Sequence, residues 1–233
     1  MQHKLQVAVL TGSGISAESG LQTFRDGDGL WRNYSVYDVA TPEAFARDPE
    51  LVHDFYNERR RLARAVSPNA AHLALARLES HCDVTIVTQN VDDLHERAGS
   101  SKVVHLHGEI QKARSEGNPD YVVDIGDSDL GPDDRCPAGY RLRPAVVWFG
   151  EAVPLYEPAI EVFRRADKVL VVGTSLSVYP AAGLLSDAAP SSEKVIVTLE
   201  LQHPPAGYRW LQQKASDGVP QVVETWLADA RRI

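Results

Sequence analysis

Cysteine is nearly missing from this chain: among 233 residues only Cys82 and Cys136 occur, far apart in sequence. Two isolated thiols exclude a disulfide framework and cannot by themselves close a four-thiolate zinc site. Long apolar runs are missing as well, none approaching the ~20 residues of a membrane-crossing helix. A surplus of basic charge is also missing, since 24 Lys and Arg face 32 Asp and Glu for a formal net charge of -8. That balance argues against nucleic acid as an electrostatically recruited ligand and favours basic, lysine-bearing protein segments as partners. No internal repeat, low-complexity tract or charge block interrupts the sequence. The apolar start Leu5 to Leu10 is too short for a signal-peptide core and lacks a small-residue cleavage site, so the expected location is the cytoplasm.

What is present suits a globular α/β protein. The chain is 43% hydrophobic and 24% charged, and its length fits one large domain or a main domain with a small appendage. Short apolar runs occur at Leu5 to Leu10, Val84 to Val87, Val103 to Leu106, Lys168 to Val172 and Lys194 to Leu199. Helical stretches such as His72 to Leu78 separate them, which predicts a doubly wound parallel sheet buried on both faces. Two segments do not fit that alternation. Asp26 to Ala65 reads as largely helical, with Pro42 and Pro49 at expected helix starts. Glu109 to Pro144 is rich in Gly, Asp and Pro and shows little periodicity apart from Tyr121 to Ile125. Residues 26–70 and 109–144 are therefore expected to form a small inserted module. Residues 1–25, 71–108 and 145–233 are left for the sheet domain.

Several strings carry chemistry at the predicted carboxyl ends of strands, the edge where open α/β sheets bind ligands. Gly12-Ser13-Gly14-Ile15-Ser16-Ala17 matches a dinucleotide-binding loop, although a ligand-free glycine turn fits the same residues. A Rossmann dehydrogenase needs an acidic residue after the second strand. Here Asp83 precedes that strand and Gln89-Asn90 follow it, which disfavours redox chemistry. Asp92 by itself reads first as a helix cap, and His107 by itself as a hydrogen-bonded structural histidine before a general base. Arg143 to Glu151 fits an edge strand closed by a glycine turn.

Taken together, the strings Thr11 to Asp26, Thr88 to His95, His105 to Glu109, Arg143 to Glu151 and Gly173 to Pro180 resemble, in order, the signatures of the sirtuin family. The resemblance implies an NAD-consuming protein-lysine deacylase with a Rossmann-like domain, with His107 as base and Asn90 beside it in catalysis. It implies NAD contacts from Gly12, Ser13, Gly14, Ser16, Ala17, Glu18, Thr23, Phe24, Arg25 and Trp31. Gln89, Asn90, Asp92, Gly173, Thr174, Ser175 and Ala215 complete that set. An acyl-lysine peptide is expected to pair with the backbone around Val147 and Trp148, beside Phe149 and Gly150. Tyr56 and Arg59, three apart on a predicted helix, match the tyrosine-x-x-arginine pair of members that remove succinyl and malonyl groups. Arg60 and Arg61 beside them read as a solvated basic face.

The chain departs from the family at two places. The first cysteine pair of the family's zinc site is replaced by Lys112-Ala113-Arg114-Ser115 and Cys136 stands alone, so a zinc-free module is expected. Thr198-Leu199-Glu200 stands where many members have an asparagine against the adenosine. An NAD hydrolase on the same scaffold, or a non-catalytic NAD or ADP-ribose sensor, are the competing readings.

Overall fold

The computed structural model describes residues 4–23, 30–31 and 34–231. Strand β1 (Gln6–Thr11) runs into a single helical turn, α1 (Gly14–Ala17). A two-stranded hairpin, β2 (Leu30–Trp31) and β3 (Tyr34–Ser35), precedes helices α2 (Val36–Val39), α3 (Pro42–Arg47) and α4 (Pro49–Ala65). Next come α5 (Ala70–Leu78), β4 (Asp83–Thr88), α6 (Leu94–Arg97) and β5 (Val103–His105). Strands β6 (Gly108–Ser115), β7 (Val122–Asp124) and β8 (Leu142–Val146) form an antiparallel sheet in the order β7, β6, β8. The chain closes with α7 (Tyr156–Arg165), β9 (Lys168–Val172), a 3-10 helix (Ala181–Asp187), β10 (Glu193–Val197), β11 (Arg209–Leu211) and α8 (Ala215–Ala230).

The main sheet has six parallel strands in the order β11, β10, β9, β1, β4, β5. The chain therefore winds outward in both directions from β1, and the crevice between β1 and β9 is the topological switch point. Alternation along β1 explains why its run is continuously apolar. Val7 and Val9 join the core under α5 and α8, with Leu75, Leu78, Val223 and Trp226, while Ala8 and Leu10 join the opposite core under α7, with Ile160 and Phe163. A strand buried on both faces has no solvent side on which a polar residue could sit.

The expected prolines do start helices. Pro42 and Pro49 are first helical residues, where the missing N–H is not needed, and the Thr41 and Asp48 side chains cap the two helices by accepting from Ala44 and Leu51 N–H.

Three expectations are corrected. The stretch from Glu109 onward is not irregular, for β6 occupies Gly108–Ser115 and a register shift between Gly108 and Ala113 erases the period-two pattern that would have revealed it. The paired strands β2 and β3 interrupt the segment read as largely helical. Arg60 is not solvated. It is 1% exposed, donating from Nε to the Ile110 carbonyl at 2.8 Å and from Nη1 to Asn57 Oδ1 at 2.7 Å, whereas Arg61 is exposed and paired with Asp129. Asn57 in turn exchanges two 2.9 Å bonds with the Leu130 backbone, so one turn of α4 ties β6 to the 130 loop.

Three buried histidines make this fold acid-sensitive. Burial lowers His53 and His72 to about 4, and lowers His95 well below the usual histidine value. Between pH 6.5 and about 4 the unfolded chain binds protons that the folded chain refuses, so stability falls as pH falls through that window. His105 is raised instead, so its contribution is complete below pH 6.5 and does not offset the loss. The urea midpoint is expected to drop as pH falls below 6.5. His72→Gln, which keeps an acceptor for the Asn69 N–H, should reduce the slope by about 1.4 kcal/mol per pH unit at most. An unchanged slope in that variant would show that His72 is not the buried neutral group described.

Candidate active site

A cavity of about 1130 Å³ opens at the carboxyl edge of the parallel sheet, over the switch point. One wall is two glycine turns in direct contact. Gly14 N–H donates to the Gly173 carbonyl at 2.8 Å and Gly12 N–H to the Val172 carbonyl at 3.0 Å. A Cβ on Gly12 would lie 2.8 Å from Thr174 Cβ, and one on Gly14 would lie 2.7 Å from the Gly173 carbonyl oxygen. Gly173 itself has φ +60, and a Cβ there would lie 2.3 Å from the Ile15 nitrogen. Larger residues at these three positions would force the turns apart or into the cavity.

The residues that follow β4 close the floor. Asn90 is buried, and its Nδ2 donates to the Gly12 carbonyl and to Ser16 Oγ, each at 3.2 Å. Both amide hydrogens are thus used, which leaves Oδ1 as an acceptor. Ser16 Oγ passes its own hydrogen to Asp92 Oδ2 at 3.2 Å, while Asp92 Oδ1 accepts the Leu94 N–H at 3.2 Å. Asp92 therefore holds the N–H of the first residue of α6 and lines the cavity at once, and burial raises its carboxyl above the usual range. Gln89 Nε2 reaches Thr174 Oγ1 at 3.2 Å and so joins the β4 exit to the β9 exit. Behind this floor, Thr11 Oγ1 donates to Thr88 Oγ1 at 2.8 Å and meets His95 Nε2 at 3.0 Å, and Thr88 Oγ1 accepts the Asn90 N–H.

His107 lines the cavity just after β5, and its Nδ1 lies 3.0 Å from the Gln89 carbonyl oxygen. A carbonyl only accepts, so Nδ1 carries the hydrogen and Nε2 keeps a lone pair. Burial, opposed by that hydrogen bond, lowers the ring below the usual histidine value, so it is neutral at pH 7. His105 is arranged differently. Its Nδ1 meets the Asn90 carbonyl at 3.0 Å and its Nε2 meets Glu96 Oε1 at 2.8 Å. Burial opposes its charge, but the Glu96 carboxylate outweighs this and raises it.

The remaining wall comes from α4 and from the chain after β8. Tyr56 and Arg59 project into the same cavity as His107, as do Val147, Trp148, Phe149 and Gly150. Burial pushes the Tyr56 phenol up to about 12, so it stays protonated. Ser13, Ala17, Glu18, Thr23, Ser175 and Ala215 also line the cavity. The Glu18 carboxylate is already engaged at the start of α8, accepting Ser216 N–H at 2.9 Å and Ser216 Oγ–H at 2.7 Å. Phe24 and Arg25 lie outside the described residues, and of Trp31 only its place in β2 is described. Thr198, Leu199 and Glu200 do border the cavity. Sequence reasoning missed Trp210, whose Nε1 donates to the Thr198 carbonyl at 2.9 Å, because β11 is only three residues long.

Comparison with known proteins agrees with this geometry. The family described as the Sir2 family matches residues 12–180. A protein from Aggregatibacter actinomycetemcomitans named NAD-dependent protein deacylase is 53% identical over 190 residues, covering 81% of this chain and 90% of that protein. A Bacteroides thetaiotaomicron protein of the same name is 47% identical over 223 residues, covering 93% and 95%. The crystal structure of a Sir2 homolog–NAD complex superposes with a TM-score of 0.86 at 37% identity, covering 96% of this chain and 90% of that one.

Contact between the two glycine turns can be tested without any assay of chemistry. Gly207 also has positive φ, at +81, but nothing lies within 4 Å of the position a Cβ would take. Gly207→Ala should cost about 1 kcal/mol from backbone strain alone, and Gly173→Ala distinctly more, with weakened NAD binding besides. Equal urea midpoints for the two variants would remove the steric part of this account.

Proposed function

This chain belongs to the Sir2 family and is an NAD-dependent protein deacylase, and we propose that it acts preferentially on succinyl- and malonyl-lysine, with acetyl-lysine as a further substrate. The observation that carries this reading is that Tyr56 and Arg59 line the same cavity as His107. A guanidinium and a protonated phenol suit the distal carboxylate of an acidic acyl group. An acetyl group has no carboxylate to accept from them, so an acidic acyl group gains more from this pair.

The cavity fits NAD together with an acyl-lysine side chain. Its volume exceeds the ~300–1,000 Å³ of an ordinary small-molecule site, and its glycine wall has no side chains where a pyrophosphate would pass. Gly12 to Gly14 and Gly173 to Ser175 would hold the phosphates and riboses, and Asn90 Oδ1 would accept from a ribose hydroxyl. Asp92 and Gln89 would position the nicotinamide side. Bound NAD supplies an electrophilic ribose carbon, which the acyl oxygen attacks as nicotinamide departs. His107 Nε2 then takes the proton of a ribose hydroxyl, freeing that oxygen to attack the acyl carbon. Its lowered basicity keeps the ring unprotonated and ready for that step at pH 7. Enclosure by α4 and the 147–150 segment keeps water from competing with the acyl oxygen. One water must then add at the acyl carbon as the lysine amine leaves, so that acyl-lysine, NAD and water give free lysine, nicotinamide and O-acyl-ADP-ribose.

The assignment of residues 26–70 and 109–144 to a small module, and of residues 1–25, 71–108 and 145–233 to the NAD-binding domain, belongs to the same reading. So does a cytoplasmic setting, which two free buried thiols favour. Among the described residues no helix is long and apolar enough to cross a membrane. We take the module to be zinc-free. Lys112 to Ser115 is strand β6, and Cys136 packs with Ala113, Leu130 and Leu142 while its sulfur accepts the Ser115 hydroxyl at 3.4 Å. Among the described residues no group of three or more His, Cys, Asp or Glu stands ready for a metal.

Nicotinamide release and peptide mass, followed with NAD and with or without succinyl- or acetyl-lysine peptide, test the reaction. Wild type should release nicotinamide only with peptide. His107→Ala should lose deacylation by more than about a hundredfold, the usual worth of a general base. Arg59→Met should lower succinyl-lysine turnover at least about tenfold more than acetyl-lysine turnover. Release without peptide would indicate an NAD hydrolase, no release a sensor, and equal losses in Arg59→Met would end the acidic-acyl assignment. Elemental analysis of purified protein should find far less than one zinc per chain, and a stoichiometric amount would overturn the zinc-free module.

A further inference from the structure

We propose that Trp148 is a specificity-determining positioning residue, whose indole N–H sets the Tyr56 hydroxyl so that its hydrogen is offered to the carboxylate of an acidic acyl group. This inference rests on the acidic-acyl reading above and extends it from the Tyr56 and Arg59 pair to a third residue.

The geometry is a chain of single-purpose contacts. Trp148 Nε1 lies 2.9 Å from Tyr56 Oη, and both side chains are buried. An indole nitrogen only donates, so Tyr56 Oη must accept there, and its own hydrogen cannot point back at Trp148. Among the described residues no protein group accepts that hydrogen. The phenol therefore presents a donor to the cavity, with Arg59 one helical turn away on the same face of α4. A carboxylate is the ligand that a neutral donor beside a guanidinium selects, because it accepts from both.

The indole itself cannot drift. The Arg143 guanidinium stacks over the Trp148 ring, 3.3 Å from its centroid, and Phe45 packs on it with centroids 5.3 Å apart. Glu151 holds Arg143 through bonds of 2.7 and 3.0 Å. The same carboxylate accepts the backbone N–H of Trp148 at 2.8 Å. Ring and backbone of Trp148 are thus referred to one anchor. A phenylalanine at this position would keep the stacking but lose the N–H, leaving the Tyr56 hydroxyl free to turn.

Steady-state kinetics of wild type, Trp148→Phe, Tyr56→Phe and the double variant, on succinyl- and acetyl-lysine peptides of one sequence, test the proposal. Trp148→Phe should raise KM for the succinyl peptide about tenfold more than KM for the acetyl peptide, the worth of one hydrogen bond to a charged group. The double variant should be no worse than Tyr56→Phe, since both remove the same interaction. Equal losses on the two peptides, additive losses, or an unaltered succinyl KM would overturn the proposal while the acidic-acyl reading stands. A wild type inactive on succinyl-lysine would overturn both. Should Trp148→Phe not fold, the Trp148 indole N–H resonance of 15N-labelled wild type serves instead. It should move distinctly further on adding succinyl peptide than on adding acetyl peptide of the same sequence, and movement with neither or with both equally counts against the role.

Discussion

The contact on which the site depends is between two backbones. Gly14 N–H meets the Gly173 carbonyl at 2.8 Å, and neither turn leaves room for a Cβ on the other. Strands β1 and β9 diverge in connectivity at that point, one leading to α1 and the other toward the 3-10 helix. A crevice forms between them as a matter of topology. Glycine turns that touch across it convert the crevice into a smooth wall, and Thr174 is brought within 3.2 Å of Gln89. The amide of Asn90 then spans from β4 to the first glycine turn. The floor of the cavity is therefore a set of loop residues with little freedom to move independently, each bonded to a loop from another strand. Preorganisation of that kind limits the reorganisation needed when a ligand arrives.

The opposite wall is built by another device. Helix α4 presents Tyr56 and Arg59 inward, and its next residue, Arg60, is fully buried and bonded to the Ile110 carbonyl and Asn57. A buried guanidinium is a weak source of net stability, but removing any of its partners would leave an uncompensated charge. Its value lies in registry. It fixes which face of α4 turns toward the cavity, and so which side chains line it. Glu151 does the same for the segment after β8, gathering Arg114, Arg143 and the Trp148 N–H on one carboxylate whose pKa is held below the usual range. Burial opposes the charge on Glu151, and the bonds from Arg143 and Trp148 prevail over it.

How much of this could be read from sequence depended on whether a residue's role was local. Five of the six parallel strands were legible because burial on both faces writes a continuous apolar run. Pro42 and Pro49 announced helix starts because the rule concerns only their own missing N–H. The glycine loops, Gln89, Asn90, Asp92 and His107 were found because several separate strings agreed, and the fold brings all of them to one cavity. What escaped depended on distant partners. Strand β6 is bulged and short of apolar residues, and Arg60 looked like its exposed neighbour Arg61 because its acceptors lie at Asn57 and at Ile110 in another element. Strand β11 is too short for any periodicity, yet it delivers Trp210 to the Thr198 carbonyl. The bond from Trp148 to Tyr56 joins positions 92 apart and has no trace in either local pattern.

The two histidines after β5 illustrate the same limit in chemical terms. His105 and His107 are two residues apart, and each directs Nδ1 at a carbonyl oxygen of the β4 exit, His107 at Gln89 and His105 at Asn90. By sequence they are near equivalents. Their difference comes from the other ring nitrogen. Glu96 stands 2.8 Å from His105 Nε2 and raises its affinity for a proton, whereas burial dominates at His107 and lowers it. His105, the more readily protonated ring, is suited to hold the Asn90 carbonyl, and His107 with an open Nε2 is suited to the base role we propose. Exchanging those environments would put the more readily protonated ring where that base has to act. The single carboxylate of Glu96, contributed by the one-turn helix α6, is thus what sets the proton affinities of the two histidines apart in this strand exit.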